Sequence, residues 1–205
     1  MPKRIGIYSG SFDPIHKGHV AFALNALSQT GLDRVYFAPE VKPRRKPDVS
    51  HIAHRVAMIN LALRSQSSLS LLELPGKYFL PKSTMAHIRS KFTNDQIVLL
   101  LGSDLFEHLV NYSHQWPHVE YLLKEVELAV AGRAGQKASD LQDLANKLPV
   151  KPLGFYVVKN NYPNVSSSKI RKSFVNDGSQ SMPDLTPKVL AYAKHHWLYH
   201  DISKI

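Results

Sequence analysis

The chain has 205 residues, 43% of them hydrophobic and 20% charged, proportions that fit one soluble globular domain and exclude a disordered tail. Its 26 Lys and Arg against 16 Asp and Glu give a net charge of +10, which excludes an acidic solvating protein and fits an anionic or phosphate-bearing partner. The absence of cysteine excludes disulfides, thiolate nucleophiles, thiolate zinc sites and cysteine-ligated iron–sulfur clusters.

No apolar signal core follows Met1, and no apolar run approaches the ~20 residues that span a bilayer, so a cytoplasmic protein without a membrane partner is expected. Residues 4–8 read as a short buried strand, and residues 17–29 as an Ala- and Leu-rich helix stopped at Gly31. A second strand over 34–38 is closed by Pro39, which has no N–H to give to a ladder. A basic loop over 40–49 leads to a periodic helical run over 53–63 and a strand candidate over 69–74. Residues 96–101 (QIVLLL) make the best central strand, followed by Gly102-Ser103-Asp104. Residues 119–123 read as the end of a helix, 127–131 as a strand, 141–148 as a helix and 155–158 as a late strand. Ser166 suits a helix cap, and Thr186-Pro187 an N-cap followed by Pro at the first helical position. Strands alternating with helices predict one α/β domain over 1–205, with a predominantly parallel central sheet flanked by helices and a C-terminal helical segment at 165–200.

Two stretches point toward phosphate. Gly10-Ser11-Phe12-Asp13-Pro14-Ile15-His16-Lys17-Gly18-His19 lies between the first strand and the first helix, where an open α/β sheet presents its ligand-binding edge. A helix starting near Lys17 puts His16 and His19 at its N-terminus, where unpaired backbone donors favour an anion, and Gly18 leaves room for a ligand or for tight packing. The stretch is neither a GxGxxG fingerprint nor a Walker loop. A surface or core histidine, or a His–His metal pair, competes with this reading, although no third metal ligand is marked. The second stretch, Val165-Ser166-Ser167-Ser168-Lys169-Ile170-Arg171, places hydroxyls and cations at a helix start. An ordinary serine cap beside solvated basic residues is the plain alternative.

Together these stretches resemble the nicotinate/nicotinamide mononucleotide adenylyltransferase family, with its patterns G-G-[ST]-F-D-P-x-H-x-G-H and [IV]-S-S-[ST]-x-[IL]-R, within the HxGH nucleotidyltransferase superfamily. The resemblance runs in order through the 39–55 region, Gly102-Ser103-Asp104, Trp116 and Gly132-Arg133. It implies a Rossmann-like nucleotidyltransferase fold that transfers AMP from ATP to a pyridine mononucleotide, with Mg²⁺ accompanying ATP. Carried onto this chain, it assigns catalysis to His16, His19, Lys46 and Arg171. ATP would be bound by Gly10, Ser11, Phe12, His16, His19, Gly102, Asp104, Ser167, Ser168 and Arg171, and the acceptor by Lys46, Tyr78 and Trp116. No protein metal ligand is assigned. Trp116 also fits an ordinary core or covering tryptophan, and Arg55 either a structural ion pair or a ligand contact.

Ser9 stands where the family has its first Gly, Arg45 where bacterial members often have His, and Ser168 where Thr is common. The largest departure is Lys77-Tyr78-Phe79-Leu80-Pro81-Lys82-Ser83-Thr84, against a bacterial S-Y-T-x-D-T. That departure bears on the acceptor more than on adenylyl transfer; because the overall order of motifs resembles bacterial members, nicotinate mononucleotide is the expected acceptor, with nicotinamide mononucleotide, other phosphate acceptors of the superfamily and a basic nucleic-acid-binding module as alternatives. Nucleic acid is not an obligatory partner, and the sequence leaves room for a homo-oligomer.

Overall fold

The computed structural model describes residues 2–43, 46, 48–177 and 182–200. Its frame is a six-stranded, all-parallel sheet in the order β3-β2-β1-β4-β5-β6. The strands are β1 (Arg4–Gly10), β2 (Arg34–Pro39), β3 (Leu69–Leu71), β4 (Gln96–Gly102), β5 (Glu127–Ala131) and β6 (Phe155–Val158). Parallel strands need long crossovers, and helices supply them: α1 (Lys17–Thr30), α2 (Ile52–Leu63), α3 (Pro81–Lys91), α4 (Ser103–Asn111), α5 (Val119–Glu125), α6 (Ala138–Ala145), α7 (Ser167–Asp177) and α8 (Pro187–His195).

The central strands are apolar on both faces because both faces are covered. Along β4, Val98 and Leu100 enter one core with Phe22, Phe37, Met58, Phe174 and Val189, whereas Ile97 and Leu99 enter the other with Met85, Ile88, Phe106 and Leu122. A two-residue period thus divides one continuous apolar run between α1, α2, α7 and α8 on one side and α3, α4, α5 and α6 on the other. Gly31, at φ 64°, ends α1 in the left-handed conformation that glycine adopts without a Cβ penalty. At the N-terminal edge of the sheet, Arg4 donates to Glu127 Oε2 at 2.7 Å and to Gln96 Oε1 at 2.7 Å, tying β1, β4 and β5 together.

Several boundaries differ from the sequence reading. The 69–74 strand stops at Leu71, although the Leu72 N–H still reaches the Phe37 carbonyl at 2.9 Å. Residues 119–123 begin a helix instead of ending one: Pro117 interrupts the chain before it, and His118 at φ 63° precedes Val119. The helix expected at 141–148 starts at Ala138, with Asp140 Oδ2 accepting the Lys137 N–H at 3.2 Å. Two helices escaped the sequence reading, α4 directly after β4 and α3 within the divergent segment. Pro81 opens α3, and Thr84 Oγ1 accepts the Leu80 N–H at 2.8 Å. No helix among the described residues is long and apolar enough to cross a membrane.

Candidate active site

In this strand order the chain reverses direction between β1 and β4, and the C-terminal ends of these two strands flank the crevice where open α/β sheets bind ligands. The β1–α1 loop fills its rim. His16 is the N-cap of α1 and His19 occupies the third helical position. His16 Nδ1 accepts the His19 N–H at 3.3 Å, and His19 Nδ1 accepts the His16 N–H at 3.2 Å. Two backbone donors left unpaired by the helix start are satisfied by imidazoles in a reciprocal cap. With both Nδ1 atoms accepting, each neutral ring carries its proton on Nε2, the donor it keeps for a ligand. The rings stack at 3.6 Å between centroids. Burial, reinforced by the charges of Arg133 and Lys46, lowers the His16 pKa to about 3. Burial and then the neighbouring His16 push His19 well below the usual histidine range. Both rings are therefore neutral N–H donors at pH 7. Gly18 serves tight packing: a Cβ there would lie 3.1 Å from the His16 ring and 3.2 Å from Tyr162 Cβ.

Phe12, at φ 50°, turns its ring into the core and packs edge-on against His19 at 5.1 Å. Asp13 is buried; its Oδ1 accepts the Tyr199 hydroxyl at 2.7 Å and its Oδ2 the Ser50 N–H at 3.1 Å. Arg55 is fully buried and donates to four carbonyls: Ser50 at 2.8 Å, Ser11 at 2.9 Å, Glu40 at 2.8 Å and Val41 at 2.8 Å. It is neither carboxylate-paired nor directed at a ligand; its planar fork joins the β1–α1 and β2–α2 loops.

The late motif docks on the early one. Ser166 caps α7 by accepting the Lys169 N–H at 3.3 Å, Ser167 Oγ donates to the Pro14 carbonyl at 3.0 Å, and Arg171 Nη1 donates to the Asp13 carbonyl at 2.7 Å. Arg171 Nη2 lies 3.5 Å from Ser168 Oγ, and its buried Nε–H has no protein partner. Lys169 instead turns back to the Asn164 carbonyl at 3.0 Å. Ser167 is thus a staple between the motifs, whereas Ser168 and Arg171 keep polar capacity beside the histidine loop.

Between the ends of β1 and β4 opens a cleft of about 600 Å³ lined by Gly10, Ser11, Lys46, Asp104, Phe79 and Trp116, among others. Lys46 Nζ donates to Ser11 Oγ at 3.3 Å. Burial, followed by the Arg171 charge, lowers its pKa. Gly102 closes β4 where an added Cβ would meet open space. Asp104 accepts both arms of Arg133, with Nε at 2.6 Å from Oδ1 and Nη2 on Oδ2. Trp116 Nε1 donates to His108 Nδ1 at 3.2 Å, which fixes one edge of the indole on the cleft wall. Tyr78 is 38% exposed and does not line the cleft; its neighbour Phe79 does. The basic-loop positions Arg44 and Arg45 lie outside the described residues.

Sequence reasoning left without a role two residues that hold site side chains, Arg133 on Asp104 and Tyr199 on Asp13. Arg133 was visible only as a landmark, but it follows β5 on the same sheet edge as Asp104. Tyr199 carries no local signal, because its partner lies 186 residues away.

The Cytidylyltransferase-like family model matches residues 7–173. The nicotinate-nucleotide adenylyltransferase of Bacillus subtilis is 31% identical over 216 residues, covering 96% of this chain and 98% of that protein. A probable nicotinate-nucleotide adenylyltransferase of Dehalococcoides mccartyi is 29% identical over 96% of this chain and 97% of its own length. The fold is shared with a solved structure of Plasmodium falciparum nicotinic acid mononucleotide adenylyltransferase complexed with NaAD, at a TM-score of 0.77, 20% identity and coverage of 96% and 97%. With the histidine loop, the docked serine–arginine motif and near full-length similarity in agreement, the chain belongs to the nicotinate-nucleotide adenylyltransferase family of Cytidylyltransferase-like proteins.

Proposed function

We propose that this protein transfers AMP from ATP to nicotinate mononucleotide, giving deamido-NAD and pyrophosphate in NAD biosynthesis in the cytoplasm. The observation that carries the reading is the pair of neutral, reciprocally capped histidines at the start of α1, flanked by Lys46 and by Arg171. An oxygen of the acceptor's 5′-phosphate attacks the α-phosphorus of ATP in line. A P–O bond forms to the acceptor as the α–β bridging P–O bond breaks, and pyrophosphate leaves with the electron pair. The attacking phosphate is already ionised at neutral pH, since its second pKa is about 6, so no side chain has to remove a proton.

The protein's work is positioning and charge stabilisation. His16 and His19 donate from Nε2 to ATP phosphate oxygens at the N-terminus of α1, whose dipole favours an anion. Gly10, Ser11 and Phe12 line the triphosphate path with backbone. Arg171 and Ser168 hold the β and γ phosphates, with Ser167 stapling that motif in place. Gly102 and Asp104 take the adenosine side, Asp104 at a ribose hydroxyl after exchanging its Arg133 partner. Lys46 meets the acceptor phosphate, and Trp116 with Phe79 bounds the pyridine ring.

Both Asp13 oxygens and both Asp104 oxygens already accept hydrogen bonds, and no three His, Cys, Asp or Glu among the described residues gather as a cage. Such a donor set fits Mg²⁺ carried by the nucleotide's own oxygens. As part of Mg·ATP it supplies neutralisation of the leaving pyrophosphate.

The test is turnover of Mg·ATP with nicotinate mononucleotide, nicotinamide mononucleotide and unrelated phosphate acceptors, following pyrophosphate and dinucleotide together. Deamido-NAD formation is expected. A folded, ATP-binding protein that makes no dinucleotide from either pyridine acceptor would refute the reading.

A further inference from the structure

The end of β2 carries an acidic side chain into a cleft otherwise suited to anions. Glu40 follows Pro39; its N–H reaches the Gly10 carbonyl at 3.0 Å, and its side chain lines the cleft. The carboxylate bridges two segments. Oε1 accepts the Ser9 hydroxyl at 3.2 Å, and Oε2 accepts the Phe79 backbone N–H at 3.3 Å. Arg55 holds the Glu40 carbonyl, and among the described residues no Lys or Arg makes an ion pair with the carboxylate.

Among the described residues the cleft is lined by one lysine, Lys46 on Ser11, and by the aromatic side chains of Phe79 and Trp116. An acceptor whose phosphate meets Lys46 would lay its ring against those aromatic residues. A backbone N–H there is the donor that a carboxylate on the ring would take, and the Phe79 N–H is already held by Glu40. Glu40 also places a negative charge where a second carboxylate would approach, and like charges in a partly desolvated cleft disfavour each other strongly.

Building on the proposed adenylyl transfer, we propose that Glu40 is a specificity-determining residue: by occupying the Phe79 donor with its own carboxylate, it lowers the advantage of an acceptor with a ring carboxylate over one with a neutral ring amide. The chain then uses both pyridine mononucleotides, with the ratio between them set by one charge.

Glu40→Gln is the test, because it keeps the shape, with the amide oxygen on the Phe79 N–H and the amide N–H on Ser9 Oγ, while removing the charge. The readout is kcat/KM for nicotinate and for nicotinamide mononucleotide at saturating Mg·ATP, with the ATP KM as control. The wild type is expected to use the two acceptors within ~10-fold of each other, and E40Q to raise the acid-to-amide ratio at least ~10-fold. An acid-to-amide ratio that stays within ~2-fold in an active E40Q protein overturns the proposal and leaves the proposed function standing. Wild-type protein that binds ATP but makes neither dinucleotide overturns both. Should E40Q fail to fold, Glu40→Ala provides a second measurement: with no carboxylate on the Phe79 N–H, the acid-to-amide ratio should rise at least ~10-fold, and a ratio within ~2-fold of the wild type overturns the proposal.

Discussion

Replacing Arg55 with Met tests whether the cleft is built by a buried guanidinium that touches no substrate. Four of its five N–H donors serve the carbonyls of Ser50, Ser11, Glu40 and Val41. Methionine leaves those four acceptors without a donor, and each buried unsatisfied carbonyl costs about 1–3 kcal/mol. The full sum is not reached, because Ser11 and Glu40 border the cleft and water can replace part of what they lose. A loss of about 3–5 kcal/mol is expected, comparable to breaking other buried charged networks. For a chain of this size that is a fall in Tm of about 10 °C. Arg55→Lys keeps the charge but offers three donors from one point, and should recover about half the loss. Urea unfolding gives the stability, and the ATP KM, measured well below the transition, reports the loops. A Met variant within ~1 kcal/mol of wild type would show that the carbonyls are solvated without Arg55 and refute the clamp.

Two further outcomes follow from the early loop. His16→Asn keeps an oxygen for the His19 N–H, since Asn is among the best N-caps, but removes the Nε2 donor; turnover should fall ~10²–10³-fold with little change in stability at pH 7. The same variant has an acid signature. The unfolded chain protonates this histidine near pH 6.5 whereas the folded chain resists until about 3, so wild-type stability drains away as pH falls through that window. The His16→Asn protein should lose less, and parallel urea midpoints from pH 7 to 4 would contradict a buried neutral His16. Tyr199→Phe deletes the hydroxyl held by the buried Asp13 carboxylate at 2.7 Å and should cost about 1.5–3 kcal/mol by urea unfolding; a change below ~0.5 kcal/mol would mean that water replaces the hydroxyl.

The parallel sheet was legible because β1, β2, β4 and β5 are short apolar runs, closed by Pro or Gly or separated by helical stretches. The histidine loop was legible because the three-residue spacing of His16 and His19 straddles a helix start. The reciprocal capping was not, since side-chain torsions decide whether Nδ1 or Nε2 faces the backbone. Helix α3 was missed although its buried Pro81, Thr84, Met85 and Ile88 follow the helical i, i+3, i+4, i+7 spacing. Lys82, Ser83 and His87 dilute that signal. Arg55 resisted because its partners are carbonyls, which every residue has and no residue type announces. Trp116 stood out by residue type, but its hold on His108 depends on a turn that places residues eight apart edge to edge.

The hydrogen bonds that shape the first loop come from far along the chain. Its partners Ser167, Arg171 and Tyr199 are separated from it by 153, 158 and 186 residues. During synthesis the loop leaves the ribosome 153 to 186 residues ahead of the side chains that hold it. The sheet can begin to assemble around β1 and β2, while the ATP-facing loop is completed only when α7 and the residues after α8 dock. Loop closure over such spans is slow relative to local helix formation. Recovery of nucleotide binding in refolding experiments should therefore lag behind recovery of helical signal, with the nascent chain acquiring its chemistry last.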